Sequence, residues 1–247
     1  MNLQSPFALL KKSVTFYIAH FKSLAVLVLT PAILLAIVSY LVELYTSTDG
    51  VLQLDTMPLY VIVISSVVLL ASIITSILGN IGIILFADDP SLYPTPTSMY
   101  KSAQKYFFPY LWIAVLSTLA ILGGFILLII PGVIFMIWFT FAPFILLFEE
   151  RRGMEALRAS RALVRGRWWS VFIRQFFLGF ACGVFMQVSG LLIGFILPDK
   201  NIAAAVNDLI SSIVFSIIVV YLYFLYRDVK AAGPAPIAPT APSAPMP

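Results

Sequence analysis

The chain contains a series of apolar runs, each long enough to cross a lipid bilayer. A helix needs about 20 apolar residues to span the hydrocarbon core. Such runs cover residues 23–45, 58–87, 168–197 and 202–226, and residues 107–148 form a nearly uncharged stretch long enough for two helices. Because 61% of the residues are apolar and only 11% are charged, a water-soluble domain is excluded. The sequence predicts an all-α polytopic membrane protein with six transmembrane helices.

The long stretch over residues 107–148 contains a proline and a glycine near its middle. Pro131 disfavours a helical conformation in the residue before it and fits the first turn of a following helix. Pro131 and Gly132 therefore predict the break between spans three and four, which we expect to form a tight helical pair.

Basic residues predict which way the spans run. Six spans place both termini on one side, and fourteen of the fifteen Lys and Arg residues lie at span ends on that side, whereas Lys200 lies on the other. The loop 46–57 contains Asp49 and Asp55 and no basic residue. By the positive-inside rule, this asymmetry predicts an inner-membrane protein with both termini in the cytoplasm. We expect the aromatic residues at span ends to be interfacial anchors, namely Trp112, Trp168, Trp169, Tyr221 and Tyr223.

Three short segments of similar composition precede spans one, three and five. They are residues 8–13 (ALLKKS), 98–102 (SMYKS) and 156–160 (ALRAS). They predict three transmembrane hairpins, each preceded by a short cytoplasmic amphipathic helix. Two alternatives explain the similarity: internal repetition of one unit, or the same requirement for entering the membrane at each of the three positions. Residues 1–230 are then the six-helix domain, and the Ala/Pro-rich residues 231–247 are a disordered cytoplasmic tail.

The segment after span four is rich in arginine. A helix over residues 155–165 places Arg158, Arg161 and Arg165 on one face. Guanidinium groups bind phosphate through two parallel hydrogen bonds, so this face is a candidate site for an anionic lipid headgroup. The alternative is that these charges only set topology and hold the helix to the membrane surface.

Two spans have stripes of small and polar residues. On a helix, the stripe of span five falls within about 80° and contains Gly179, Gly183, Gln187, Gly190 and Gly194. The sequence favours packing within the chain through this stripe, with homodimerisation or a substrate path as alternatives. The matching face of span two packs against span five or lines a narrow wet cavity, and it contains Ser65, Ser72, Ser76, Gly79 and Asn80.

Residues for enzyme chemistry are scarce. The chain has one histidine, one cysteine and no phosphate-binding Gly-rich loop. Two acidic pairs, Asp88-Asp89 and Glu149-Glu150, could hold Mg²⁺ only if they converged, and solvated span ends are the favoured interpretation. We therefore predict no catalytic residue, no metal, no cofactor and no nucleic-acid partner.

The predicted function is that of a non-enzymatic, lipid-interacting or membrane-organising accessory. Its predicted partners are anionic membrane lipids, together with a second copy of the chain or another membrane protein. One alternative is a transporter or channel component with a polar path between spans two and five, near Asn80 and Gln187. A second alternative is a metal-dependent lipid-modifying enzyme.

A set of motifs follows spans three to five in order. They are IIPGVI (129–134), FAPF (141–144), EERR (149–152), GMEALRASR (153–161) and GRWW (166–169). This series resembles the glycerophosphodiester phosphodiesterase membrane-domain superfamily, which includes YciC-like bacterial inner-membrane proteins. The resemblance implies a six-helix membrane domain. Some members of that superfamily also have a soluble phosphodiesterase barrel, for which these 247 residues leave no room, so its catalytic residues are not transferred.

Overall fold

The described part of the chain is entirely helical. The structure is a computed structural model, and it describes residues 3–43, 45, 58–197 and 200–233. Most of the predicted tail and the acidic loop 46–57 lie outside these residues. In chain order, the helices are α1 Pro6–Ala19, α2 Phe21–Glu43, α3 Leu59–Asp88, α4 Pro96–Gln104, α5 Phe107–Leu127, α6 Ile129–Phe139, α7 Ala142–Glu149, α8 Gly153–Val164, α9 Trp168–Ile196 and α10 Lys200–Ala231.

Six segments among these helices are long and apolar enough to cross a membrane. They are α2, α3, α5, the combined segment Ile129–Glu149 formed by α6 and α7, α9 and α10. The short helices α1, α4 and α8 each precede a pair of spans. The predicted all-α polytopic fold, with three hairpins that each follow a short helix, is confirmed.

The short helices have clear start signals and one buried face each. The Ser5 hydroxyl oxygen caps α1 by accepting a hydrogen bond from the Ala8 N–H (3.2 Å), and Thr95 and Ser98 form a reciprocal capping box at the start of α4. The buried faces consist of Leu9, Ser13 and Tyr17 on α1, Met99 and Ala103 on α4, and Ala156, Leu157, Ser160 and Val164 on α8. These helices therefore lie against the transmembrane bundle.

The turn between spans three and four lies three residues earlier than predicted. Leu128 adopts an extended conformation (φ −167°, ψ 157°) and separates α5 from α6. Pro131 lies in the first turn of α6, where its missing N–H is not needed, so the predicted break at Pro131 and Gly132 is wrong. Gly132 instead allows close packing, because a Cβ atom on Gly124 would lie 2.9 Å from the backbone of Gly132.

Span four is itself broken near its middle, between α6 and α7. Pro143 lies in the first turn of α7, and the backbone break at Thr140 and Phe141 is held by Ser160 of α8. The Ser160 hydroxyl donates to the Trp138 carbonyl oxygen (2.6 Å) and accepts from the Phe141 N–H (3.2 Å). Ser160 is completely buried, so α8 is fixed against the middle of span four.

The residues just before α1 and the last turns of α10 meet at one end of the bundle, which we call the packed end. The Gln4 N–H donates to an Asp228 carboxylate oxygen (2.8 Å), and the Arg174 guanidinium donates to the Leu3 and Gln4 carbonyl oxygens. The Lys12 ammonium lies 4.2 Å from the centroid of the Phe224 ring. These contacts bring α1, the start of α9 and the end of α10 together.

Packing is dense at this end and sparse at the other. The buried residues of α3 lie mainly between positions 79 and 87, and those of α10 lie mainly beyond position 219. Near the other end of α9, Phe195 is 89% exposed, as expected for a side chain in contact with lipid. Tyr221 and Tyr223 are fully buried at the packed end, so their prediction as interfacial anchors is wrong.

Candidate functional site

The arginine face of α8 points away from the bundle. Ala156, Ser160 and Val164 are buried, whereas Arg158 and Arg161 are exposed. The Arg161 guanidinium carbon lies 4.2 Å from the centroid of the Trp138 ring, which is a cation–π distance. Arg165, which directly follows α8, is also exposed. The predicted set of three arginines is therefore accessible from outside the protein.

A large apolar groove lies directly beside this face, between α6 and the start of α9. Its volume is about 650 Å³, within the size range of small-molecule sites. Arg165 is the one charged residue among the described residues that line it. The walls are formed by the aliphatic residues Ile129, Ile130, Val133 and Ile134 and the aromatic residues Trp138, Trp168, Trp169 and Phe172. We call this cavity the tryptophan groove.

The tryptophan groove contains both exposed and unsatisfied groups. Ile129, Ile130 and Trp169 remain largely exposed, so the groove is open to the surrounding medium. The indole Nε1 of Trp168 is buried and has no hydrogen-bond partner in the described part of the chain. Buried indole N–H groups normally have a partner. The groove thus offers an apolar surface and a cation close together.

Arg167 has a different role from the three exposed arginines. Its guanidinium donates to the carbonyl oxygens of Ala232 (2.9 Å), Val229 (3.4 Å) and Gly233. Gly166, with φ +79°, provides the left-handed turn that precedes it. This contact caps the C-terminal end of α10 and fixes the start of α9, on which Trp168 and Trp169 lie.

One carboxylate of each acidic pair contacts a tyrosine and a cation on α10. Asp88 accepts from the Tyr223 hydroxyl (2.7 Å) and pairs with Arg227 (2.8 Å). Glu149, at the end of span four, accepts from the Tyr226 hydroxyl (3.1 Å) and pairs with Lys230 (2.9 Å). These residues are therefore more than solvated span ends.

A shared metal site does not form from these carboxylates. Within the described residues, no group of three or more His, Cys, Asp or Glu side chains could hold a metal ion. Glu150 lies 3.7 Å from the Lys105 ammonium instead. The convergence of the two pairs, which the metal-dependent enzyme alternative requires, is not found there.

Most of the glycine stripe of α9 makes no contact with the rest of the described chain. A Cβ atom built on Gly179, Gly183 or Gly194 would meet no described atom within 4 Å, and Gln187 is exposed. At Gly190 the nearest atom would be the Asn207 side-chain oxygen, at 3.8 Å. The interpretation of the stripe as an intramolecular packing face is wrong at the three open glycines. Contact with another chain stays a prediction.

The polar face of α3 lines a cavity, but not one shared with α9. Its residues Ser72, Ser76, Gly79 and Asn80 face a space of about 340 Å³ that α2 and α10 complete. The predicted polar path between spans two and five is therefore wrong: Asn80 borders the cavity and Gln187 does not. The cavity lies between spans one, two and six.

The six spans and the three bundle-bound short helices define a multi-pass α-helical membrane protein. The chain is similar to the UPF0259 membrane proteins of Buchnera aphidicola subsp. Acyrthosiphon pisum. It is 33% identical over 157 residues to that of strain Tuc7, and 33% identical over 156 residues to that of strain 5A. Each match covers 62% of this chain and 60% of the relative.

The match thus spans about three fifths of the length of these curated relatives. No family model matches the chain, and no solved structure matches it. These comparisons support a relationship to multi-helix membrane proteins. They do not support the resemblance to the glycerophosphodiester phosphodiesterase superfamily.

Proposed function

We propose that this protein is a non-enzymatic, lipid-binding accessory of a bacterial cytoplasmic membrane, and that it holds an anionic phospholipid at α8. Arg158, Arg161 and Arg165 bind the headgroup, and the tryptophan groove holds part of an acyl chain. The observation that supports this most is the position of Arg165 on the wall of an otherwise apolar groove.

The chemistry of the site matches an amphiphile with an anionic head. Arginine binds phosphate oxygens in a bidentate manner and is more weakly hydrated than lysine, so it suits a site at the membrane interface. Ile130 and Val133 offer aliphatic surface to a hydrocarbon chain, and Arg165 lies on the same groove. A free phosphate ion would use only the arginines and would leave the groove without a role.

The placement of charge gives the proposed orientation. Lys12, Arg174 and Arg227 lie at the packed end, where α1, the start of α9 and the end of α10 meet. Basic segments next to membrane spans are retained in the cytoplasm. In this orientation α8 faces the anionic lipids of the cytoplasmic leaflet, which attract basic side chains by about 1 kcal/mol each.

Quenching by brominated lipids tests the proposal, because three of the four tryptophans line the groove. The protein is reconstituted into mixed phosphatidylglycerol and phosphatidylcholine bilayers in which one lipid carries brominated acyl chains. We expect a selectivity for phosphatidylglycerol of about tenfold, equivalent to ~1.4 kcal/mol. In the variant Arg158→Gln/Arg161→Gln/Arg165→Gln, both lipids should quench equally.

The matched control removes the same charge elsewhere at the packed end. Lys11, Lys22 and Lys101 are exposed, and Lys11→Gln/Lys22→Gln/Lys101→Gln should retain the selectivity. An equal loss in both triple variants would show that general surface charge attracts the lipid. Unchanged selectivity in the arginine variant would refute the proposed site.

A further inference from the structure

We propose that the space between α2, α3 and α10 is a hydrated intramembrane site for a small, uncharged, polyhydroxylated solute. We call it the serine cavity. This site is separate from the tryptophan groove and does not depend on lipid binding. It has a volume of about 340 Å³ and lies within the transmembrane bundle. Its polar side chains are Ser72, Ser76, Asn80, Ser211, Ser212 and Ser216.

A backbone carbonyl adds to this polar lining. Pro31 lies inside α2 and has no N–H, so the Leu27 carbonyl oxygen has no helical partner. The Tyr100 hydroxyl donates only a long hydrogen bond to this oxygen, at 3.5 Å, and burial raises the pKa of the Tyr100 phenol, which keeps it neutral. A Cβ atom on Gly79 would lie 2.9 Å from the same oxygen, so glycine keeps α3 close to it.

The cavity presents acceptors on one wall and unused polar groups on the other. On α10, the hydroxyls of Ser211 and Ser212 donate to the carbonyl oxygens of Asn207 (2.7 Å) and Asp208 (2.8 Å). Their own oxygens can therefore accept from a ligand. On α3, the Ser76 and Asn80 side chains have no hydrogen bond to another described residue. A solute with several hydroxyl groups, which both donate and accept, matches these two walls.

Two further considerations define the ligand class. Unsatisfied polar groups are costly inside a bilayer, so water or a polar solute should occupy the space. At ~30 Å³ per molecule, the volume corresponds to about ten waters. None of the described lining residues is charged, so nothing in the lining would compensate an ionic ligand.

Aromatic rings are packed toward the packed end of the bundle, whereas a second space adjoins the cavity in the opposite direction. Aromatic rings of Phe16, Phe86 and Phe224 pack together at the packed end, with ring centroids 6.0 Å and 5.8 Å apart. In the opposite direction, a second space of about 390 Å³ between α2 and α10 shares Ala32 with the serine cavity and has Asp208 on its wall. The geometry thus favours access from the side opposite α8.

Cysteine labelling tests the proposal, since the native Cys182 can first be replaced by serine. Ser76→Cys and Ser212→Cys are compared with Ile73→Cys, which lies at similar depth on α3 but is exposed outside the cavity. In nanodiscs, a hydrophilic methanethiosulfonate reagent should label both cavity thiols at least about tenfold faster than the control, because only hydrated thiols ionise readily. Equal rates at all three positions would refute a hydrated cavity.

Glycerol at molar concentration tests for solute binding. It should slow the labelling of Ser76→Cys about twofold or more by occupying the site, in the manner of any competing ligand. Glycerol also slows labelling in general by raising the viscosity. Labelling of Thr97→Cys, an exposed position on α4, measures this general effect, and Ser76→Cys should be slowed about twofold or more beyond it. Fast labelling that glycerol does not slow would contradict the assignment as a polyol site.

Discussion

Replacing Gly124 by alanine should destabilise the hairpin of α5 and α6 by about 2 kcal/mol. The new Cβ atom would lie 2.8 Å from the Phe135 ring and 2.9 Å from the Gly132 backbone. Gly132 lies equally close to α5, because a Cβ atom there would lie 2.5 Å from the Phe125 ring. The two helices must therefore move apart, which can be measured as a lower unfolding midpoint in detergent.

The adjacent glycine provides the control. A Cβ atom on Gly123 would meet no atom of the described residues within 4 Å, although it lies on the same helix at the same depth. Gly123→Ala should leave stability unchanged or raise it, since alanine is the better helix former by up to ~1 kcal/mol. Equal losses of stability at both positions would mean that helix distortion, not contact between α5 and α6, explains the effect.

Replacing Ser160 by alanine should cost about 1–3 kcal/mol, the usual penalty for leaving buried polar groups without partners. The change removes the donor to the Trp138 carbonyl and the acceptor for the Phe141 N–H. It also loosens α8 from span four, so Arg161 should lose its fixed position over Trp138. We expect a lower unfolding midpoint and weaker selectivity for phosphatidylglycerol in the quenching assay.

Ser66→Ala is the matched control for this prediction. Ser66 is exposed on α3, and its hydroxyl bonds only to the Ile62 carbonyl of its own helix (2.8 Å). That change should have little effect on either measurement. A Ser160→Ala protein that behaves like Ser66→Ala would show that α8 is held by its apolar face alone.

Hydropathy predicted the spans well because helix length in a bilayer is set by membrane thickness. The first span was predicted over residues 23–45 and is observed as Phe21–Glu43. The helix α8 could be predicted because Arg158, Arg161 and Arg165 recur three and four residues apart, which places them on one face of a helix with apolar residues on the other side. The turn at Leu128 could not be placed from the sequence, because a proline fits several positions in the first turn of a helix and does not fix the residue at which the helix begins.

The partners of each helix could not be predicted from the sequence. Lipid and protein interior are equally apolar, so a stripe such as Gly179 and Gly183 looks the same whether it packs or faces lipid. Tyr223 and Arg227 form a visible pair at i and i+4, but their partner Asp88 lies 135 residues from Tyr223. The tryptophan groove likewise combines residues of α6 and α9 whose proximity depends on the fold.

The proposed lipid site requires that both chain ends and α8 lie on the cytoplasmic side of the membrane. Single-cysteine variants in a Cys182→Ser background test it with a membrane-impermeant maleimide applied to intact cells. Glu155→Cys on α8 and Thr97→Cys on α4 should be labelled only after the membrane is opened, whereas Lys200→Cys should be labelled in intact cells. Labelling of Glu155→Cys and Lys200→Cys from the same side would contradict the six-span arrangement and the lipid site that follows from it.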